Sequence, residues 1–153
     1  MKNIKFLLVL TLGCIALNIN AQIQPVDDNG LAIGGYDVVA YFSNTAIQGS
    51  TKITEKYNNA TYQFSTTENR DTFKSDPEKY LPQFGGHCAW GVGAKDTKFP
   101  INPETFDIVD GKLYLFYNGP SEGGDFNAMQ LWNVDTTTLK IAAHKKWPSV
   151  KKK

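Results

Sequence analysis

Cysteine, histidine and methionine are all scarce in this sequence, whose 153 residues contain two of each. Cys14 lies in an apolar N-terminal stretch, so we expect Cys88 to be the only cysteine of the mature chain. A single cysteine cannot form an internal disulfide bond. One cysteine and two histidines also fall short of the four ligands of a structural zinc site, unless carboxylates complete the set.

The sequence also lacks an excess of charge and the motifs of two enzyme classes. Its 16 basic and 15 acidic residues give a formal net charge of +1, so nothing indicates a nucleic-acid partner or an anionic membrane surface. Neither Cys-x-x-Cys nor His-Glu-x-x-His occurs, which argues against a disulfide oxidoreductase and a zinc protease. Internal repeats and low-complexity tracts are absent as well, so we expect one compact domain.

The one long hydrophobic run lies near the N-terminus. Two lysines precede an apolar stretch (residues 6–17), and Ala21 offers a small residue at the expected cleavage edge. This order predicts a signal peptide at residues 1–21 and an exported protein, periplasmic or secreted. The run is too short to span a membrane. Lipid attachment at Cys14 is the alternative, which Thr11 disfavours because bacterial lipoproteins usually carry a large aliphatic residue at that position.

The first half of the chain predicts strands and one helix. After a flexible lead-in (residues 22–34), residues 36–42 are rich in β-forming side chains and predict a strand. Two alternating runs flank Asn58-Asn59 and predict a β-hairpin, because asparagine tolerates a positive φ. A Ser-x-x-Glu capping box at residues 65–68 predicts the start of a short helix, which Pro77 should end.

The second half predicts another hairpin and two more helices. Asp110-Gly111 suits a type I′ turn, and the strand after it is apolar on both faces, as expected of a central strand. Asp125 and Asp135 should each cap a helix, and the second helix should end at Pro148. The remaining segments are interpreted as loops or as a basic, solvated tail: residues 91–102, 119–124 and 149–153.

These patterns together predict one small α+β domain over residues 35–148. We expect an antiparallel sheet with two hairpins, packed by about three short helices. Asp37 is expected to make hydrogen bonds in a turn rather than to bind a metal, and His144 to be exposed. The three tryptophans are expected in the core: Trp90, Trp132 and Trp147.

A sharp turn precedes the cysteine of the mature chain. Pro82 restricts the backbone, Gly85 and Gly86 are able to adopt φ values that other residues avoid, and His87 and Cys88 follow at once. Adjacent residues on a regular strand point to opposite faces, so these two side chains can share one ion only if the chain turns here. Imidazole and thiolate are the ligands that soft and borderline metals prefer. We therefore expect any chemistry of this protein at the Gly-Gly-His-Cys turn.

The order of these motifs resembles that of exported bacterial YHS-domain proteins. The segment GYDVVAYF (residues 35–42) is similar to the family's G-Y-D-P-V-A-Y-F, and PQFGGHCA (residues 82–89) is similar to its P-Q-Y-G-G-Y-C-A. YQFS (residues 62–65) and DGKLYLFYN (residues 110–118) match its central segment and its closing hairpin. The tail matches at Trp132, Ala142 and Trp147, so the likeness covers nearly the whole mature chain.

The resemblance implies a link to metals. YHS modules occur beside metal-handling machinery, including copper-transporting ATPases, and are generally supposed to bind metal. Their short forms carry one cysteine after the Tyr-x-Phe strand and another on the next helix, whereas this chain has Ser65 and Asn69 at those positions. His87 stands where the family commonly has tyrosine, so its imidazole either adds a ligand or fills the space of a ring.

Three hypotheses about function centre on Cys88. In the first, an exported protein binds a soft metal ion, copper foremost, through Cys88 and His87, with Met129 and His144 as candidate further ligands. In the second, a metal-free module binds a protein partner or a small ligand, and Cys88 is a buried structural residue. The third is a thiol-based enzyme, which requires that His87 or a helix N-terminus activates Cys88.

Overall fold

The computed structural model describes residues 23–153, so the predicted signal peptide and Cys14 lie outside the described residues. This part of the chain forms six strands and five α-helices. The strands are β1 (Ser50–Tyr57), β2 (Ala60–Phe64), β3 (Asn102–Val109), β4 (Lys112–Phe116), β5 (Asn118–Ser121) and β6 (Gly124–Asn127). The helices are α1 (Thr67–Ser75), α2 (Pro77–Tyr80), α3 (Ala89–Lys95), α4 (Ala128–Val134) and α5 (Thr136–Val150). Short 3₁₀ turns cover Ile33–Gly35, Ala40–Ser43 and Gln83–Gly86.

The arrangement is a small α+β domain, as the sequence predicts. The strands pair antiparallel as β1–β2, β3–β4 and β5–β6. The details differ from the expectation, because the described residues form three two-stranded sheets and five helices rather than one sheet with two hairpins and about three helices. The additional hairpin, β5–β6, replaces the loop that was predicted for residues 119–124.

Two hairpin turns confirm their local sequence signals. Asn58 and Asn59 have φ angles of 48° and 64°, and Asp110 and Gly111 have φ angles of 51° and 68°. Positive φ at both central residues defines the type I′ turn, whose twist matches that of the flanking strands. The local sequence therefore sets the position of each turn and the register of the residue pairs next to it, whereas the register shifts farther along, between Ser50 and Thr54 in β1 and between Asn102 and Phe106 in β3.

The strand predicted for residues 36–42 does not form. Tyr36 makes only an isolated bridge with Gln48, and the chain then turns into the 3₁₀ segment Ala40–Ser43. The Asp37 carboxylate accepts hydrogen bonds from the amides of Val39 and Ala40 at 2.9 and 3.2 Å. These local bonds replace strand pairing, which explains why β propensity fails here.

The lead-in that was predicted to be flexible is docked on the domain. Ile23 exchanges backbone hydrogen bonds with Ile101 at 2.8 and 2.9 Å. The amide of Ala32 donates to the carbonyl of Thr61, and Ala32 and Ile33 are both buried in the core. Buried apolar side chains anchor this segment, although its first part, residues 22–30, is mostly polar.

Helix starts follow the capping chemistry, although two caps lie one or two residues from the predicted ones. Thr66 rather than Ser65 caps α1, with its hydroxyl accepting from the amide of Asn69 at 3.0 Å. Asn127 rather than Asp125 caps α4. Asp135 caps α5 as predicted and accepts from Thr138 at 3.0 Å.

Two other helix predictions are wrong. Helix α3 forms where a Gly-rich loop was expected, because small residues let it pack directly on α5: a Cβ on Gly93 would lie 2.8 Å from the carbonyl oxygen of Leu139. Helix α5 continues through Pro148 to Val150, which is 1% exposed and holds the last turn in place. The basic tail therefore begins within a helix rather than as frayed chain.

The core lies between the hairpins and α3–α5. Its largest fully buried side chains are mostly aromatic: Trp132, Tyr41, Tyr114, Phe64, Phe73 and Phe116. Strand β4 is buried on both faces, as its sequence predicts. It pairs with β3 on one side and, through Leu113, makes an isolated bridge with Pro82 on the other.

A buried carboxylate ties three segments of this core together. Asp37 is 0% exposed, and its Oδ1 accepts from the amides of Val39 and Ala40. Its Oδ2 accepts from the amide and the hydroxyl of Ser65, at 2.8 and 2.7 Å, and from the side-chain amide of Asn69 at 2.7 Å. Asp37 thus has the hydrogen-bonding role that the sequence predicts.

Replacing Asp37 by asparagine should destabilise the fold by about 3 kcal/mol. The new amide group would face the donors of Ser65 and Asn69 and leave them without an acceptor, which is costly for buried groups. Urea unfolding followed by circular dichroism measures the change. Asp71→Asn, at an exposed surface pair with Arg70, is the matched control and should change the unfolding free energy by less than about 0.5 kcal/mol. Equal losses in the two variants would contradict this role of Asp37.

Candidate functional site: the His-Cys turn and an aromatic cleft

The backbone turns sharply before His87 and Cys88, as the sequence predicts. Phe84, Gly85 and Gly86 have successive φ angles of 56°, 60° and 83°. A Cβ on Gly86 would lie 2.9 Å from Cβ of Pro25, so both its conformation and its surroundings require glycine. The turn places Cys88 at the N-cap position of α3.

Cys88 is sealed inside the protein. Its side chain is 0% exposed and belongs to the hydrophobic core. Burial raises the pKa of the Cys88 thiol, although the backbone amides of Tyr117, Gly91 and Trp90 oppose that shift. The group is therefore a protonated thiol near neutral pH, which disfavours both nucleophilic attack and ready metal binding.

The main chain of Cys88 has a clear structural role. Its amide donates to the carbonyl of Phe99 at 3.3 Å, and its carbonyl accepts from the amide of Val92 at 3.1 Å. The first bond joins the start of α3 to the loop after it, and the second closes the first turn of the helix. Both bonds are those of a packed structural residue.

His87 is half-buried beside Trp147, with 6.2 Å between the ring centroids. Its Nδ1 is buried and, among the described residues, has no hydrogen-bond partner. Burial lowers the pKa of His87 and Lys98 lowers it further, while the nearby carbonyl of Phe99 acts in the opposite direction. The neutral imidazole thus keeps a buried nitrogen unsatisfied, which is costly and calls for an explanation.

The other two candidate ligands occupy separate environments. His144 is exposed, as predicted, and its Nε2 lies 3.2 Å from the hydroxyl of Tyr114, while its ring contacts Phe84. Met129 is partly buried against the core on α4. Within residues 23–153, no three histidine, cysteine, aspartate or glutamate side chains form a group that could hold a metal ion.

The two positions where the YHS resemblance would place cysteines hold structural side chains. Ser65 and Asn69 both donate hydrogen bonds to Oδ2 of Asp37. Their polar groups also approach each other, with 3.4 Å between the Asn69 amide nitrogen and the Ser65 hydroxyl oxygen. A hydrogen-bond network therefore stands where those cysteine ligands would be.

An aromatic cleft next to this turn was not predicted from the sequence. It has a volume of about 740 Å³ and lies between α3, the loop after it and the β5–β6 hairpin. Its walls are mostly apolar, and nine residues line it: Trp90, Lys95, Phe99, Tyr117, Pro120, Ser121, Glu122, Gly123 and Phe126. Sequence reasoning missed the cleft because it assigned Trp90 to the core and Phe126 to a helix.

The rings of the cleft hold one another in place. Phe126 packs against Trp90 and Tyr117, with centroid distances of 5.2 and 6.1 Å. The Lys95 ammonium lies 5.5 Å from the centre of the Trp90 ring, which is a cation–π contact. The Tyr117 hydroxyl donates to the carbonyl of Pro120 and so ties the end of β4 to the hairpin. The cleft is therefore an ordered site whose walls carry one cation, Lys95, and one carboxylate, Glu122.

Ser121, which lines the cleft, lies in a sequence pattern associated with hydrolases. Gly-Pro-Ser-Glu-Gly at residues 119–123 fits G-x-S-x-G, in which a serine nucleophile sits between a strand and a helix. Here the segment is the tip of the β5–β6 hairpin, and the Ser121 hydroxyl donates to the carbonyl of Gly124 at 2.6 Å. Both histidines contact other rings instead. The pattern thus lacks the structural context of a nucleophile.

Searches for related proteins leave the family assignment open to test. No family model, no curated protein and no solved structure matched this chain. The YHS resemblance therefore stays a prediction, as does export. Among residues 23–153, every helix is too short or too polar to cross a membrane.

The buried imidazole of His87 should make stability depend on pH. Its pKa is lowered from 6.5 in the folded protein, so below that pH the unfolded chain binds a proton that the folded chain resists. Stability should fall as the pH drops from about 7 to about 5.5, and His87→Phe should flatten this decline. Urea unfolding at several pH values measures it, with His144→Phe as the comparison: burial and Lys140 also lower the pKa of His144, but its ring is more exposed, so this variant should flatten the decline less. A decline that is unchanged in His87→Phe would contradict the prediction.

Proposed function

We propose that this protein is a binding module and that its aromatic cleft takes a small molecule with a flat apolar body and an acidic group. This is the second of the three hypotheses from the sequence, with Cys88 as a structural residue. The observation that carries it is the convergence of four rings on one cleft: Trp90, Phe99, Tyr117 and Phe126. The proposal requires no metal ion.

The size and chemistry of the cleft support this class of ligand. Small-molecule sites usually enclose roughly 300–1,000 Å³ and combine apolar and aromatic walls with a few polar groups. The cleft, at about 740 Å³, lies within that range. Half-buried rings offer flat faces for stacking, and Lys95 supplies a positive charge beside Trp90. An acidic group on the ligand would pair with that charge.

The packing around Cys88 contributes to the site indirectly. The bond from the Cys88 amide to the Phe99 carbonyl holds one wall of the cleft, and Trp90 projects from the helix that Cys88 begins. A thiol buried in this way acts as a small apolar residue. On this proposal, the Gly-Gly-His-Cys turn supports the walls of the cleft rather than a metal site.

Binding of the aromatic sulfonate 1-anilinonaphthalene-8-sulfonate tests the proposed site. The wild-type protein should bind it with a fluorescence increase, and Phe126→Ala should weaken binding about tenfold by removing one stacking face. Phe42→Ala is the matched control, since Phe42 is a half-buried ring that packs on Tyr80 at 5.1 Å and does not line the cleft. Equal affinities in the two variants, with both folded by circular dichroism, would rule out the cleft as the binding site.

Copper binding through Cys88 and His87 is the second candidate function. One observation favours it: the unpartnered Nδ1 of His87, which a metal ion would satisfy. The sealed sulfur and the raised pKa of the thiol count against it. Thiol catalysis has less support, because the same burial removes the thiolate that it needs.

Anaerobic titration with copper(I) tests this second candidate. If Cys88 and His87 bind the ion, the wild-type protein should take up one equivalent and Cys88→Ala and His87→Phe should each lose about a hundredfold in affinity. Competition with a chromogenic chelator measures the affinity. Equal uptake by all three proteins would remove this pair from any metal site. The outcome is independent of the dye-binding experiment, so each proposal can fail alone.

A further inference from the structure

Positive charge is concentrated at the C-terminal end of the chain. The protein as a whole is nearly neutral, yet residues 136–153 contain six lysines and no acidic residue. Helix α5 covers most of this segment. A local excess of one sign survives in the folded protein only where neighbouring elements do not cancel it, so the surroundings of α5 decide what the charge can do.

A groove runs beside the C-terminal half of α5. It has a volume of about 490 Å³ and is separate from the aromatic cleft, with which it shares no residue. One face of α5 and the end of α3 line it: Asp96, Ala142, Lys145, Lys146, Ser149, Val150 and Lys153. Three of these seven side chains are cationic and one is acidic.

Part of this charge has a structural use. Lys146 pairs with Asp96, at 2.9 Å, and donates to the carbonyl of Gly93 at 2.7 Å. Lys153 donates to the main-chain carbonyl of Asp96 at 2.9 Å. Such contacts satisfy carbonyl groups at the C-terminal end of α3, where cations are favourable.

A net positive charge remains after these contacts. Asp96 balances one of the three lining lysines, and Lys145 is exposed on the groove wall. Lys98 reaches the carbonyl of Lys151 at 3.0 Å, which brings two more cations to the same end of the molecule. Lys146 and Lys153 donate to carbonyl groups at the end of α3, whereas Lys145 is exposed on the groove wall. Positive charge is therefore accessible to a partner at this groove.

We propose that this groove binds an acidic segment of another protein. From Ala142 to Val150 the helix face extends about 12 Å, which an extended chain covers with about four residues. Lysine ammonium groups are flexible point charges that suit a row of carboxylates. Two carboxylates of the segment would pair with Lys145 and Lys153, the exposed lysines of the groove, while Lys146 keeps its contact with Asp96.

Two other anionic partners fit the groove less well. A phosphate site typically uses main-chain amides at a helix N-terminus or the fork of arginine, whereas this groove lies at helix C-termini and is lined by lysine. A lipid bilayer presents a flat array of headgroups, which contacts a convex or flat basic surface more readily than a groove. The concave shape, with the exposed Lys145 and Lys153 on its wall, therefore favours a peptide chain.

Fluorescence anisotropy with a labelled oligoglutamate of about six residues tests the inference, with oligoglutamine of the same length as the neutral control. The wild-type protein should bind oligoglutamate at low ionic strength and more weakly at physiological salt, and should not bind oligoglutamine. Lys145→Glu/Lys153→Glu should weaken binding about tenfold or more. Lys52→Glu/Lys56→Glu, with the same charge change at exposed positions of β1, should weaken it no more than about twofold.

The single substitution Lys145→Gln guards against a folding defect in the double variant. It removes one exposed charge and should still weaken oligoglutamate binding about threefold. Phe126→Ala should leave this binding unchanged, which separates the groove from the cleft. Equal losses in the two double variants, or no binding by the wild type, would overturn the proposal. A third outcome would also overturn it: the Lys145→Glu/Lys153→Glu variant still binds oligoglutamate but no longer binds phosphatidylglycerol vesicles. The two lysines would then contact a lipid surface rather than a peptide.

Discussion

The fold depends on the two oxygens of one buried carboxylate. Asp37 accepts five hydrogen bonds from three segments: the turn that follows it, the residue after β2 and the first turns of α1. Burying a charged group is costly unless donors surround it, so these segments must come together for any of them to be stable. The turn also sends Tyr41 into the core, where its hydroxyl donates to the carbonyl of Pro103 at 2.8 Å. Asp37 thus joins this turn to the end of the first hairpin and to α1, and Tyr41 joins the same turn to the start of β3.

The packing and hydrogen bonds of the interior give structural roles to residues at positions where the sequence suggests metal binding. Ser65 and Asn69 serve the carboxylate of Asp37, and Cys88 serves the packing of α3 and the loop after it. The imidazole of His87 retains a buried nitrogen that has no hydrogen-bond partner among the described residues, and so does the indole of Trp132. The interior is therefore organised for stability, whereas the outward-facing rings and lysines are the groups available for recognition.

The parts of the fold that the sequence predicts are those decided within a few residues. The Asn58-Asn59 and Asp110-Gly111 turns and the Asp135 cap need only local backbone and side-chain chemistry. The failures depend on distant partners. The strand predicted around Asp37 is replaced by a turn because donors about thirty positions away, on Ser65 and Asn69, complete the local bonds that this carboxylate makes. Helix α3 forms because α5 packs on its glycine face, and the cleft exists because an unpredicted hairpin brings Phe126 to Trp90.

The glycine at position 91 influences the width of the aromatic cleft. Its missing side chain lets the Phe99 ring lie directly on α3, where an added Cβ would overlap that ring. A methyl group at this position would overlap the Phe99 ring and push it away from α3. Because Phe99 lines the cleft, this shift would reduce the volume of the cleft. The absence of a Cβ at Gly91 therefore affects the volume of the cleft, although Gly91 itself does not line it. A substitution at Gly91 would therefore change the size of the cleft while leaving every lining side chain in the sequence unchanged.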